Sequence, residues 1–381
     1  MKVAVTTLAF CVAALLSLGL VMLYSSKMMT PAGAHDLMMQ LVWCAVGLVL
    51  CITAAAFDYK LLKTLSWLIY LGALALAVAV FTPHLGMKIN GAHRWIWLPG
   101  ATLQPSEFVK IAVIIMLAWF AERYQRKIHT WNYGIVFPTI IIGIALGLIF
   151  IEPDRGQTIL LAAVSGAMLL IAGVRWKHLL VPAAGGAALF AFSMFHDSMR
   201  QGRIRAWLHP NAHLDGAALQ AHEAMIGLGS GGTFGVGLGN GMRKFGYLPE
   251  IHTDFIFANI GEELGLIATL LVVLAFIAIA ICGFYISFRS RDVFGSLLAA
   301  GITLLISLQA VINIGVVTNA LPNKGLPLPF ISYGGSNLVA LLAGVGILLS
   351  VARRAPAREK NSQSAKDAGE FGDNPFAARA T

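Results

Sequence analysis

Three observations predict an all-α polytopic membrane protein with about ten transmembrane helices and a large outer loop between spans 7 and 8. Charged residues make up only 12% of the 381, hydrophobic residues make up 58%, and mean hydropathy is +0.77. A soluble domain carries roughly 25% charge, so an ordinary cytoplasmic enzyme is excluded. Apolar runs of about 20 residues, enough to cross a bilayer, recur along nearly the whole chain. The basic residues behind the net charge of +9 lie in short loops between those runs, where they set topology rather than bind nucleic acid.

The first run, 3–25, follows a single lysine. It is longer than a signal h-region and lacks a small-residue cleavage site, so it reads as a first transmembrane helix. Further spans are expected at 38–57, 64–82, 106–122, 134–151, 156–173, 178–195, 258–287, 297–320 and 332–352. An even number puts both termini on one side. The loops on that side carry Lys60, Lys63, Arg123, Arg126, Lys127, Arg175, Lys177, Arg289, Arg291, Arg353 and Arg354, whereas the opposite short loops hold Lys27, Lys88, Arg94, Arg155 and Lys324. The positive-inside rule therefore places both termini in the cytoplasm. Residues 1–353 form the membrane domain, and 354–381, polar and without apolar period, read as a disordered cytoplasmic tail. Cys11, Cys44, Cys51 and Cys282 fall inside apolar runs without metal-ligand spacing, so neither a disulfide nor a zinc site follows.

Three outer stretches, 83–105, 196–257 and 321–335, are long or rich in Gly, Pro and polar residues, and function belongs there. In the longest, the run from Gly227 to Gly265 is too Gly-rich for one helix, and its glycines lack the strand and helix context of a nucleotide fold. Arg243, Lys244, Glu250, His252 and Asp254 follow the glycines and converge at a membrane entry point. Asp254 stands just before the apolar run Phe255-Ile-Phe-Ala. A carboxylate at that low-dielectric edge suits a general base for a hydroxyl nucleophile, and equally suits an N-cap for the following helix. Glu262 and Glu263 fall inside the span, where they need partners; the simpler account is a structural pair with a Lys or Arg of another helix.

In the first outer loop, Arg94-Trp95-Ile-Trp97 leads to Gln104-Pro-Ser-Glu107-Phe-Val-Lys110. Pro105 and Glu107 are good helix-start chemistry, and the two tryptophans fit an interfacial belt. Lys110 is three residues from Glu107 on the same helix face and must pair or face a polar cavity. Glu152-Pro-Asp154-Arg155 forms a short charged turn, and turn chemistry alone accounts for its acids. The segment from Leu321 to Ser336 places three prolines and three glycines at membrane depth, which is tolerated only where backbone is buried in protein or lines a cavity. From it Lys324 can meet a lipid phosphate or snorkel to the interface.

Taken together, these motifs resemble the SEDS (FtsW/RodA) family of cell-wall polymerases over about residues 5–353. The resemblance rests on Tyr247-Leu-Pro-Glu250-x-His252-Thr-Asp254-Phe-Ile-Phe with Glu262-Glu263-Leu-Gly, on Arg94-Trp95-Ile and Gln104-Pro-Ser-Glu107, and on Lys324-Gly-Leu-Pro-Leu-Pro-Phe-Ile-Ser332-Tyr-Gly-Gly-Ser336. The forms around Lys324 and Glu250 look more like the division branch (FtsW-like) than the elongation branch.

The resemblance implies a ten-span peptidoglycan glycosyltransferase joining lipid II into β-1,4-linked strands on the outer face of the bacterial cytoplasmic membrane, at the division septum. Asp254 matches the family's essential aspartate. Arg94, Trp95, Glu107, Lys110, Asp154, Gln220, Arg243, Lys244, Glu250, His252, Lys324, Ser332 and Ser336 are the candidate substrate-binding residues. The resemblance also implies a class B penicillin-binding protein and other division proteins as partners, because no Ser-x-x-Lys or Lys-Thr-Gly transpeptidase signature occurs here. No cofactor is certain; a divalent cation, Mg or Mn, with Asp254 as its ligand is an alternative to Asp254 as base. Two departures stand out: Arg155-Gly-Gln157 where the family has an apolar residue, Gly and Thr, and Glu223 where Gln is common. Competing functions are an elongation-type polymerase, a lipid II flippase with charges at the bilayer midplane, and a non-catalytic scaffold.

Overall fold

The structure, a computed structural model, describes residues 1–27, 33–82, 85–89, 92–98, 101–195, 198–208, 217–243 and 252–355. The tail from 356 onward lies outside the described residues. In chain order the helices are α1 (Lys2–Lys27), α2 (Gly33–Ala56), α3 (Tyr59–Thr64), α4 (Ser66–Ala79), α5 (Pro105–Arg123), α6 (Phe137–Ile151), α7 (Arg155–Ile171), α8 (Trp176–Phe195), α9 (Ser198–Leu208), α10 (Ala217–Ser230), α11 (Ile256–Phe288), α12 (Val293–Val317) and α13 (Gly335–Arg354). Each expected span is occupied by one helix; the third, 64–82, holds the shorter α4, and the short α3 precedes it. Among the described residues, six helices are long and apolar enough to cross a membrane: α1, α2, α6 with the π turn before it, α11, α12 and α13. The shorter α4 and α7 are apolar as well.

Outward faces of α2, α4 and α11 expose Leu, Ile and Val, as expected of surfaces facing lipid, while α5, α12 and α13 are buried along most of their length. Packing pairs α2 with α13, α11 with α1 and α12, and α5 with α4 and α12. Small residues permit the close approaches: Gly346 of α13 lies against the Cys51 backbone of α2, and Gly19 of α1 against Ile331.

Two features add to the expected architecture. The first outer stretch folds into an antiparallel sheet, β1 (Gly86–Ile89), β2 (Ala92–Leu98) and β3 (Ala101–Leu103), in the order β1-β2-β3. Ile96 pairs with Gly86 on one side and Leu103 on the other and is buried, whereas its neighbour Trp97 is exposed, the period-two pattern of a half-buried strand. In addition, α11 is broken at Gly265, whose φ of 77° and ψ of −173° no continuous helix contains. The sheet, the α6–α7 turn, α9, α10 and the α12–α13 loop gather at one end of the bundle. The other end holds the basic loops, tied by Tyr59 Oη donating to Asp292 (3.0 Å) and by the Arg354–Asp58 ion pair (3.2 Å).

Candidate functional site

Asp254 lies in the turn immediately before α11. The N-cap of that helix is Phe255 rather than Asp254, so the capping account of this aspartate does not hold. Its carboxylate instead rests against Gly325, so closely that a Cβ there would overlap Oδ2. Two side chains clamp this arrangement. Asn313 of α12, buried, donates from Nδ2 to the carbonyls of both Asp254 (2.8 Å) and Leu326 (2.7 Å). Ser332 donates to Thr253 O (2.6 Å) and accepts from Leu328 N (2.7 Å), and Tyr333 N donates to His252 O (3.0 Å). Gln309, one turn before Asn313, donates to Pro327 O (2.9 Å). Within the non-helical 324–333 backbone, Leu326 O, Pro327 O, Leu328 N and Tyr333 N are thus bonded inside the protein.

Behind that loop is a buried polar network. Lys110 Nζ, fully buried, pairs with Glu107 (2.9 Å) and donates to Gln157 (2.7 Å) and Gln309 (3.5 Å). Glu107 also accepts from Gln157 Nε2 (2.6 Å) and Asn337 Nδ2 (2.7 Å). Lys110 therefore pairs, as its position in an apolar run required. Ser336 accepts from Gln104 N (2.9 Å), whose residue precedes Pro105 at the start of α5. Glu107, Lys110, Ser332 and Ser336 are each 5% exposed or less, with these polar atoms bonded inside the protein. These bonds tie α5, α7, α12 and α13 to the loop that faces Asp254.

Arg94 on β2 reaches across to the α6–α7 turn, donating to the carbonyls of Glu152 (2.9 Å) and Pro153 (2.8 Å) and pairing with Asp154 at 3.7 Å. Trp95 is half-buried opposite Met87. Asp154 caps α7 through Gln157 N (3.1 Å) and accepts from Gln104 Nε2 (3.2 Å). Burial raises its carboxyl pKa, against the pull of Arg94 and of the Gln157 amide. Glu152 beside it is fully buried, and neither carboxyl oxygen has a hydrogen-bond partner among the described residues. Burial and the neighbouring Asp154 push it up to about 8.

The Gly-rich segment forms a strap along α11. The break at Gly265 frees the carbonyls of Glu262 and Glu263, which accept from Val236 N and Gly237 N (both 3.0 Å). The two carboxylates accept from the strap as well: Glu262 from Met242 N (2.8 Å) and Arg243 N (3.3 Å), Glu263 from Gly239 N (3.1 Å) and from Ser25 Oγ of α1 (2.5 Å). Arg243 pairs through its guanidinium with Glu223 of α10, so the unusual acid at 223 has a local partner. Gln220 of α10 accepts from Asn323 Nδ2 (3.0 Å), and Trp207 of α9 donates to Asn319 O (3.0 Å). Both helices are thereby fastened over the loop that carries Lys324.

Lys324 lies over the Phe190 ring at 4.5 Å. Burial, with Arg155 and Arg203 nearby, lowers its pKa to about 8. Lys244 and Glu250 lie outside the described residues. Among the described residues no three His, Cys, Asp or Glu side chains gather as a metal-ligand set. Sequence reasoning missed Asn313, Gln309 and Asn337; the available signal was a polar amide inside an apolar run.

This fold and polar end define a polytopic membrane protein whose candidate chemistry sits where helix ends meet irregular loops. The profile of the family described as Cell cycle protein (FtsW, RodA and SpoVE) matches residues 6–356, and the chain belongs to that family. It is 40% identical over 349 residues to a probable peptidoglycan glycosyltransferase FtsW of Trichlorobacter lovleyi, covering 90% of this chain and 92% of that protein. It is 36% identical to the stage V sporulation protein E of Bacillus subtilis, covering 89% and 94%. Among solved structures it resembles a chain of a peptidoglycan synthase complex described as coordinating polymerization and crosslinking (TM-score 0.76, 27% identity, 91% and 96% covered). It also resembles the rod shape determining protein RodA of Thermus thermophilus (TM-score 0.69, 28% identity, 92% and 97% covered).

Proposed function

We propose that the chain is a peptidoglycan glycosyltransferase that polymerises lipid II for septal wall synthesis, with the sheet end of the bundle at the outer face of the cytoplasmic membrane and both termini inside. Support comes from its FtsW relatives and from one observation above all, the Asp254 carboxylate pressed against Gly325 next to Lys324. In this reading the 4-hydroxyl of an acceptor GlcNAc attacks C1 of the donor MurNAc. Asp254 takes the hydroxyl proton, and the C1–O bond electrons leave with undecaprenyl diphosphate. A single displacement turns the α-linked donor into a β-1,4 bond. Lys324 meets the developing diphosphate charge. Arg94, Asp154 and the Glu107–Lys110 network act by positioning. A class B penicillin-binding protein supplies cross-linking, a reading supported by the resemblance to the synthase complex.

The test is a gel assay for glycan chains from lipid II with the purified protein, with and without a class B penicillin-binding protein. Asp254→Asn, folded like wild type, should lose product by about 100-fold or more. If wild type with its partner makes no glycan yet moves lipid II across liposomes, the flippase account replaces this one.

A further inference from the structure

Three cations converge on one place that the reaction above does not fully use. Lys324 leads directly into Gly325, which touches the Asp254 carboxylate. Gly156, the second residue of α7, packs on the same loop: a Cβ there would sit 3.1 Å from Leu326 Cγ and 3.5 Å from Gly325 O. Arg155, immediately before it, is therefore brought beside the Lys324 loop, its guanidinium stacked on Phe150 at 3.1 Å and donating to Phe150 O (2.9 Å). From the other side comes α9. Trp207 is bonded to Asn319 O, and Arg203, one turn earlier on the same helix face, is exposed. Like charges near one another repel, and Asp154, which also acts on Lys324 and is paired with Arg94, offsets only part of that charge, so the positive excess suits an anion with more than one negative charge. The lowering of the Lys324 pKa by Arg155 and Arg203 is the same repulsion seen from the lysine.

We propose that Arg155 and Arg203 complete, with Lys324, a binding pocket for the diphosphate of a polyprenyl-linked substrate. This assignment rests on the glycosyltransferase reading for its substrate but not for its chemistry: the shared ligand is a lipid-borne diphosphate. The Arg155 guanidinium is anchored on Phe150, while Arg203 is carried by α9.

The test measures binding to the purified full chain in detergent of farnesyl diphosphate, farnesol, inorganic pyrophosphate and phosphatidylglycerol vesicles. Wild type should bind farnesyl diphosphate more tightly than farnesol, and Arg155→Leu and Arg203→Gln should each weaken it about tenfold while leaving farnesol unchanged. Arg155→Lys should retain most of the affinity, which separates lost charge from misfolding. Equal affinity of wild type and both variants for the diphosphate overturns the pocket, as does a preference for pyrophosphate or vesicles that the variants do not alter. If diphosphate binding follows the prediction but wild type makes no glycan with its partner, the pocket stands and the polymerase reading falls.

Discussion

At the scale of single residues, the site is governed by how few charges are left to water. Lys324 illustrates the consequence. Its pKa of about 8 is set by burial first and then by the guanidinium groups of Arg155 and Arg203, with Asp154 pulling the other way. Below that pH the ammonium is charged and binds an anion; above it the group is neutral and the attraction is lost. The profile of kcat/KM against pH, which reports the free enzyme, should therefore fall through about pH 8. The limb in kcat should lie higher, because bound diphosphate stabilises the ammonium. Lys324→Arg, which stays charged, should remove the limb from kcat/KM. A profile flat to pH 9.5 in wild type would rule out the lysine as the titrating group. Asp254 stood out in the sequence as a charge at the border of an apolar run, Lys324 as a cation in a Pro- and Gly-rich segment, and Arg94 through the motif around it. Their partners did not. Asn313, Gln309, Gln157 and Asn337 are single amides on helices whose apolar period they hardly disturb, and which carbonyl each meets is decided only by tertiary packing.

At the scale of elements, the break in α11 and the strap form one unit. Gly265 is fixed at positive φ, and a Cβ there would strike the backbone of Gly235 and Thr233. Gly265→Ala should thus cost about 1 to 3 kcal/mol from backbone strain, with more from the collision, and release the strap to protease. Gly143→Ala in α6 is the control, since a Cβ there meets nothing within 4 Å. It should be neutral or slightly stabilising, because alanine is the better helix former. Thermal unfolding in detergent distinguishes the two, and equal melting temperatures would refute the strained account. The ten apolar runs were legible from length and hydropathy alone. The break was not, since one glycine inside a long apolar run changes no periodicity. Nor was the sheet at 86–103, whose strands of three to seven residues are too short for their alternation to stand out.

At the scale of the whole molecule, four helices are joined by one buried network: Glu107 and Lys110 of α5, Gln157 of α7, Gln309 of α12 and Asn337 of α13. Removing one charge leaves the other buried without its partner. Lys110→Met should lower stability by about 3 to 5 kcal/mol, and the double change Lys110→Met with Glu107→Gln should recover much of that loss. Additive losses in unfolding measurements would contradict the pairing. The network also bears on biogenesis. The amide of Gln104 waits for Ser336, Glu107 for Asn337, and the Asp254 turn for Ser332 and Tyr333, all contributed by α13 or the loop that leads into it. A chain still being synthesised therefore carries Asp254 without the walls that orient it. On the proposed function, a copy that ends before α13 lacks these walls and should make no glycan.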